Sequence, residues 1–348
     1  MFAILRLHKE KLIMKKLLKV LGIILLIPII LCAGLFAFIV YEVAIPDKFT
    51  YVVNEDQQTC SITGIKNGSA HTINIPEEID GYTVTKINDW SFKSQNCFVV
   101  YLPETIEYIG EGAFAYCESL SGIYGLEKCT NLKEIQPYTF RDCYDLALIT
   151  LPEGLEKIGE YAFYKCYKNL TDINIPSTVT TIDYGAFISC QELTKITIPA
   201  SVELIGVNLF EACISLESIE VEVENANYCS VDGVLYTKGM KILCAYPSNK
   251  VGEEYTIPDG VTTIATGAFA YPQHLKTLNI PDSIEVIDEN AFIDVYMLSL
   301  LNTINYNGTV RMWENIYINP NWNANYRPNF TIYCKNGRIS KDGTVTYN

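Results

Sequence analysis

SCQELTKITIPASVELIGVNLFEAC, residues Ser189–Cys213, decides the fold. It carries Ile-x-Ile-Pro at Ile196–Pro199, Ile-Gly at Ile205–Gly206 and Leu-Phe at Leu209–Phe210, and ends on a cysteine. The stretch before it, KCYKNLTDINIPSTVTTIDYGAFIS (Lys165–Ser189), has the same grammar. Outward from this pair the Phe marker recurs at Phe92, Phe114, Phe140, Phe163, Phe187, Phe210, Phe269 and Phe292, in steps of 22, 26, 23, 24, 23, 59 and 23. A cysteine trails it by three residues at Cys117, Cys143, Cys166, Cys190 and Cys213, and Pro272 and Val295 fill that slot later. Self-similarity at such a period is the mark of a repeat architecture.

Each part of the unit has a physical reading. In Ile-x-Ile both side chains face one side of a short strand. The proline that follows has no N–H for a continuing ladder and ends the strand. Ala-Phe sets a small residue beside a ring where backbones pass closely. One unit cannot bury its apolar face alone, whereas stacked units bury it against each other, so the chain is expected to form a solenoid. A period near 23 lies within the leucine-rich-repeat range of about 20–29 residues.

The unit resembles the BspA-type leucine-rich repeat, whose consensus carries the same Ile-Pro, Ile-Gly and Ala-Phe-x-x-Cys. The resemblance runs from about Ile73 to Ile304. Three irregular pieces are similar too: GLEKCTNLKEI (Gly125–Ile135) to a variant coil, NANYCSVDGVLYTKGMKILCAYP (Asn225–Pro247) to a hairpin insertion, and NYNGTVRMWENIYINPNWN (Asn305–Asn323) to a C-terminal closing segment. The insertion accounts for the step of 59. The resemblance implies a right-handed leucine-rich-repeat solenoid, β-rich, with one short strand per coil and a mostly irregular or short-helical convex side. It also implies surface exposure and protein binding or adhesion. Fold transfers within such a family far better than ligand.

Val20–Tyr41 has no charged residue. As a helix its 22 residues would run about 33 Å, enough for a bilayer core of about 30 Å. Arg6, Lys9, Lys11, Lys15, Lys16 and Lys19 all precede it, which places that end inside and the rest outside. The length of the apolar run and the lack of a small-x-small site favour a retained anchor, and cleavage would instead make the protein secreted. The expected organisation is therefore 1–19 as a cytoplasmic basic tail, 20–41 as one transmembrane helix, 45–72 as N-terminal cap strands, 73–304 as the solenoid with a hairpin insertion at about 222–250, and 305–348 as a C-terminal cap.

Charge restricts the partners. The chain has a net charge of −14, and beyond the first 43 residues there remain 20 basic against 38 acidic side chains. A body that acidic repels a phosphate backbone, which excludes nucleic acid as a partner. It also stands off anionic lipid, so contact with the membrane is expected through the N-terminal helix only.

No motif speaks for catalysis. The three histidines, His8, His71 and His274, stand far apart in sequence, and there is no His-Glu-x-x-His, Gly-x-Ser-x-Gly or phosphate loop. No cofactor or metal is expected. The Cys slot tracks Phe and accepts Val, which marks it as a small buried position rather than a disulfide. Phe114, Phe140, Phe163, Phe187, Phe210, Phe269 and Phe292, with the five cysteines, are the expected repeat core. The candidate binding face is the concave sheet, where the slots between buried residues hold Thr171, Asp172 and Asn174, then Thr194, Lys195 and Thr197, then Glu217, Ser218 and Glu220, and, past the insertion, Lys276, Thr277 and Asn279. The first use of such a face is to bind a protein on a host cell or neighbouring microbe. A second reading is a glycan stacked on Trp313, Tyr317, Trp322 and Tyr326, which compete with a cap role for that segment. A third is a purely structural envelope protein.

Overall fold

The computed structural model describes residues 48–66, 70–293, 300–322 and 330–348. The Ile-x-Ile segments become the rungs of a parallel ladder. Thr72–Asn74, Val99–Tyr101 and Gly122–Tyr124 pair in register, so that Ile73, Val100 and Ile123 lie one above another. Leu148 continues the ladder by a bridge to Gly122. Lys195–Ile198 pairs with Ser218–Val221. Beyond the insertion Glu254–Thr256, Thr277–Ile280, Thr303–Tyr306 and Thr331–Cys334 form the same ladder again.

A second ladder runs along another side of the coil, where an irregular or short-helical surface was expected. Its rungs are two residues long: Glu134–Ile135, Lys157–Ile158, Thr181–Ile182 and Leu204–Ile205, in strict parallel register. Thr263–Ile264, Val286–Ile287 and Tyr317–Ile318 repeat the arrangement after the insertion. The Ile of each pair is its more buried member, and the near-constant period brings it opposite its counterpart one coil on. Among the described residues the helices are a 3-10 turn at Leu126–Lys128 and one α-helix at Val310–Glu314, whose Thr309 accepts the Met312 N–H as N-cap.

The Ala-Phe turns form the remaining edge. Successive Phe rings stack from Phe92 to Phe210 with centroids 5.4–6.1 Å apart. Phe269 and Phe292 stack at 5.3 Å in the second half. The residues two before and two after each Phe from Phe92 to Phe269 take left-handed φ, as at Tyr161 (52°) and Lys165 (60°) around Phe163. Non-glycine residues pay about 1–2 kcal/mol for that conformation. The compensation is a regular one: Tyr161, Phe163 and Lys165 donate their N–H groups to Tyr184, Ala186 and Ile188 of the next coil.

Each ladder cysteine serves the same turn. The thiols of Cys117, Cys143, Cys166, Cys190 and Cys213 donate to the carbonyls of Phe92, Phe114, Phe140, Phe163 and Phe187, one coil back, at 3.1–3.3 Å. All five are fully buried and free. The slot is thus a packing position that also satisfies a buried carbonyl.

The Ile-Gly pair has a steric cause. A Cβ on Gly159 would lie 2.7 Å from Pro137 N and 2.8 Å from Ile135 O, both backbone atoms of the preceding coil. Gly159→Ala should therefore cost about 1–3 kcal/mol by overpacking. Gly239, whose nearest neighbour atom would be 4.0 Å away, is the control. Urea midpoints for the two alanine variants should separate, and equal midpoints would refute the close approach.

The insertion is a wall. Tyr228–Val231 and Val234–Thr237 form a hairpin through Asp232-Gly233, both at positive φ as a type I′ turn needs. Ile242–Ala245 adds a third strand and then joins the second ladder. Side chains alternate across this sheet: Leu235 and Ala245 join the core of the first stack, while Val234, Tyr236 and Leu243 join that of the second. At the N-terminal end Phe49–Val53 and Thr59–Ile65 pair antiparallel, and Phe49 meets Phe92 edge-on. At the C-terminal end Thr331–Cys334, Gly337–Ile339 and Val345–Tyr347 form an antiparallel meander. Among the described residues no helix is long and apolar enough to cross a membrane. The expected span at 20–41 lies outside the described residues, as do Val295 and Tyr326.

Candidate binding face

The Ile-x-Ile ladder turns one set of side chains into the core and the other outward, by the period of two of a strand. The structure places all twelve expected face residues on outward slots. Thr171, Asp172, Asn174, Thr194, Lys195, Thr197, Glu217 and Glu220 are exposed, and Ser218, Lys276, Thr277 and Asn279 are half-buried. Register brings Lys195 beside Ser218 and Thr197 beside Glu220. Ser218 donates to Glu220. Past the insertion the face is held by its own polar ladder: Asn279 donates to Glu254 and Thr256 at 2.7 and 2.9 Å, and Asn305 donates to Asn279 at 2.8 Å. Lys276 pairs with Glu253.

Sequence reasoning missed the aromatic part of this face. On the early coils the outward slots hold Phe98, Tyr101, Tyr124 and Leu148, which are 47%, 45%, 41% and 56% exposed. Tyr101 and Tyr124 stack at 5.2 Å with planes 18° apart, and His71 stacks on Phe98 at 5.2 Å and 9°. A Cβ on Gly122 would come within 3.1 Å of the Tyr124 ring, so the bare glycine lets that ring lie close against the ladder. A signal was present. FVVYLPETI (Phe98–Ile106) and SGIYGLEKC (Ser121–Cys129) are degenerate copies of the unit, and aligning them by their buried Val100 and Ile123 puts the aromatics on outward slots.

Of the expected stacking residues, Trp313 and Trp322 pack against the last coils, and Tyr326 lies outside the described residues. Trp313 is 5% exposed and meets Tyr306 edge-on at 5.2 Å. Trp322 is half-buried, edge-on to Phe292 and Phe330 at 5.5 and 5.7 Å. Tyr317 is exposed but stands apart from a ring partner among the described residues. A sugar stacks on an open ring face, and the face of Trp313 is spent on closing the last coils. His274 is exposed with Nε2 3.0 Å from Asn249 Oδ1, and among the described residues no three His, Cys, Asp or Glu side chains gather as a metal site.

The family model of the BspA type Leucine rich repeat region matches in six copies, over residues 43–133, 125–230 and 246–317. The chain belongs to the BspA-type leucine-rich-repeat family. Solved structures agree in fold. A leucine-rich cell surface protein of Faecalibacterium prausnitzii is 24% identical, with 78% of this chain and 96% of that one covered and a TM-score of 0.58. The pneumococcal vaccine antigen PcpA is 22% identical over 75% of this chain and 80% of that one, with a TM-score of 0.61. A leucine-rich repeat protein of Bacteroides ovatus is 24% identical over 76% and 71%, with a TM-score of 0.54. No curated protein matches. At these identities the likeness concerns the fold. Along this chain the buried Ile and Phe recur from coil to coil, with Cys in the five coils from Phe114 to Phe210, whereas the outward slots differ, so the ligand has to be read from this chain's own slots.

Proposed function

We propose that the protein is a display scaffold anchored at a cell surface through residues 20–41, with its repeat body outside, and that it binds a protein partner by surface complementarity without bond chemistry. The observation that carries this reading is the exposed platform of Phe98, Tyr101, Tyr124 and Leu148 on a rigid ladder. Contiguous exposed apolar patches on soluble folds mark interaction sites. Aromatic anchors surrounded by polar neighbours are the usual composition of a binding hot spot. The polar slots from Thr171 to Glu220 extend the same surface, and their acidic end, with the acidic body, suits a partner bearing basic patches, on a host cell or a neighbouring microbe.

The test is a biosensor titration of the full chain in nanodiscs against matrix proteins and surface extracts, at low and physiological salt. Tyr101→Ser with Tyr124→Ser should weaken a saturable protein signal at least tenfold, about 1.4 kcal/mol. These rings are exposed, so the melting temperature should stay within a few degrees. Glu217→Lys with Glu220→Lys should slow association and flatten its salt dependence. Full binding by the tyrosine variant would sink the placement on this face.

A further inference from the structure

The stack of Ala-Phe turns is interrupted after Phe210, because the chain leaves to build the insertion and returns to a Phe only at Phe269. A cleft of about 490 Å³ opens at that seam, lined among others by Arg141, Tyr161, Lys165, Tyr184, Asn208 and Glu211. It lies on the turn edge, away from the outward slots of the Ile-x-Ile ladder.

The floor of the cleft is short of hydrogen-bond donors. Asn208 is 7% exposed and its Oδ1 is buried without a hydrogen-bond partner. Gly267 stands opposite and offers no side chain; a Cβ there would collide with that oxygen. The Asn208 amide spends its Nδ2 on the Glu211 carboxylate. Glu211 has no cation paired with it among the described residues, and burial pushes its carboxyl up against the opposing effect of the Asn208 hydrogen bond. Acceptors are therefore in excess at the floor, and a buried acceptor left unmet costs free energy.

The two cations of the cleft are already engaged. Arg141 Nε lies 3.0 Å from one oxygen of Asp142 and Lys165 Nζ 4.0 Å from the other, and that carboxylate is only 4% exposed. Arg141 also lies over the rings of Tyr116, Tyr138 and Tyr164 at 5.0–5.5 Å. The uncommitted charge is that of Glu211. Beside it stands Tyr184, 36% exposed and edge-to-face with Tyr161 at 5.2 Å, a ring against which a cation can rest.

We infer that this cleft binds an ammonium or guanidinium group, which donates to the Glu211 carboxylate and rests against Tyr184. The group can arrive on a free amine or on a lysine or arginine side chain of a peptide. Calorimetric titration of the full chain with argininamide and with acetyl-Gly-Arg-Gly-amide separates the two sources, with sodium acetate and methyl glucoside as the anionic and neutral probes. At least one cationic probe should bind saturably, and the tighter of the two names the source. Glu211→Gln should lower that affinity at least tenfold. Ser189→Lys should abolish it with the floor intact: Ser189 has φ 60°, the value at which Lys165 already stands one coil back, so the fold accommodates a lysine there. Absence of binding by both cations, uptake of acetate or glucoside in their place, or indifference to both variants would overturn the assignment.

Discussion

Phe163→Ala should destabilise the protein by about 3–5 kcal/mol, the range for removing a buried aromatic ring from a core. The ring lies between Phe140 and Phe187 at 5.5 Å from each and is fully buried. In a solenoid each coil touches only its neighbours, so a hole in the middle of the stack weakens both of its interfaces at once. The urea midpoint should fall by roughly 1–2 M for an ordinary dependence on denaturant. Phe210→Ala is the comparison. That ring ends the first stack, is 6% exposed and lies 6.1 Å from Phe187, so its loss should cost visibly less. A penalty below about 1 kcal/mol at Phe163 would contradict the stacked core.

Alkaline pH should unfold the protein well before its surface charge would. Burial, and after it the neighbouring thiol one coil along, pushes Cys143, Cys166 and Cys190 far up, and burial pushes Cys213 up to about 12. In the unfolded chain a thiol titrates near about 8.5. The folded state therefore holds protons that the unfolded state releases. This stabilisation is complete below about 8.5 and is lost as pH rises toward the folded values, at about 1.4 kcal/mol per thiol per pH unit. At pH 10 these four thiols would remove about 8 kcal/mol, as much as the whole stability of many domains. Urea midpoints at pH 7.5, 8.5, 9.5 and 10 measure the slope, and the lower three precede most tyrosine ionisation in the unfolded chain, which centres near about 10. Cys166→Val should flatten the slope by one thiol's share, about 1.4 kcal/mol per pH unit, with Cys117, raised by its hydrogen bond with Cys97 and by burial, and Cys129 and Cys244, raised by burial, still contributing. A midpoint constant from pH 7.5 to 9.5 would exclude the neutral thiol ladder.

The parts of the fold that were legible in the sequence are those where each coil has to solve the same packing problem. Ile73, Phe163 and Cys166 recur because every unit must cover the one beneath it, and repetition made their roles plain. The second ladder was not read, because Lys157–Ile158 and Thr181–Ile182 are each two residues long and show no alternation to detect. The left-handed turns around each Phe were invisible for a different reason. Tyr161, Lys165 and Ser189 are not residues that announce positive φ, and it is the hydrogen bonds of the next coil that hold them there. The aromatic platform escaped since its coils are the least regular in sequence. Trp313 was readable only as one of two things, a contact or a cap, and its packing on Tyr306 decides for the cap. The seam cleft depends on Asn208 and Gly267 meeting from 59 positions apart in sequence, which no local pattern encodes.

The sheet wall at 228–245 gives the molecule bulkheads. Coil-on-coil stacking propagates order from one end to the other, and by the same route it propagates loss, since each coil removed exposes the next. At the wall that relay changes character. The three strands are bonded chiefly to one another, antiparallel, and Leu235 and Tyr236, adjacent in the chain, belong to opposite cores. Fraying that starts at Phe49 or at Tyr347 meets a partition there that keeps its own hydrogen bonds when one side is gone. Unfolding should accordingly proceed in two steps rather than one, and a cut or a pull at one end leaves the far compartment, with whatever it holds, still folded.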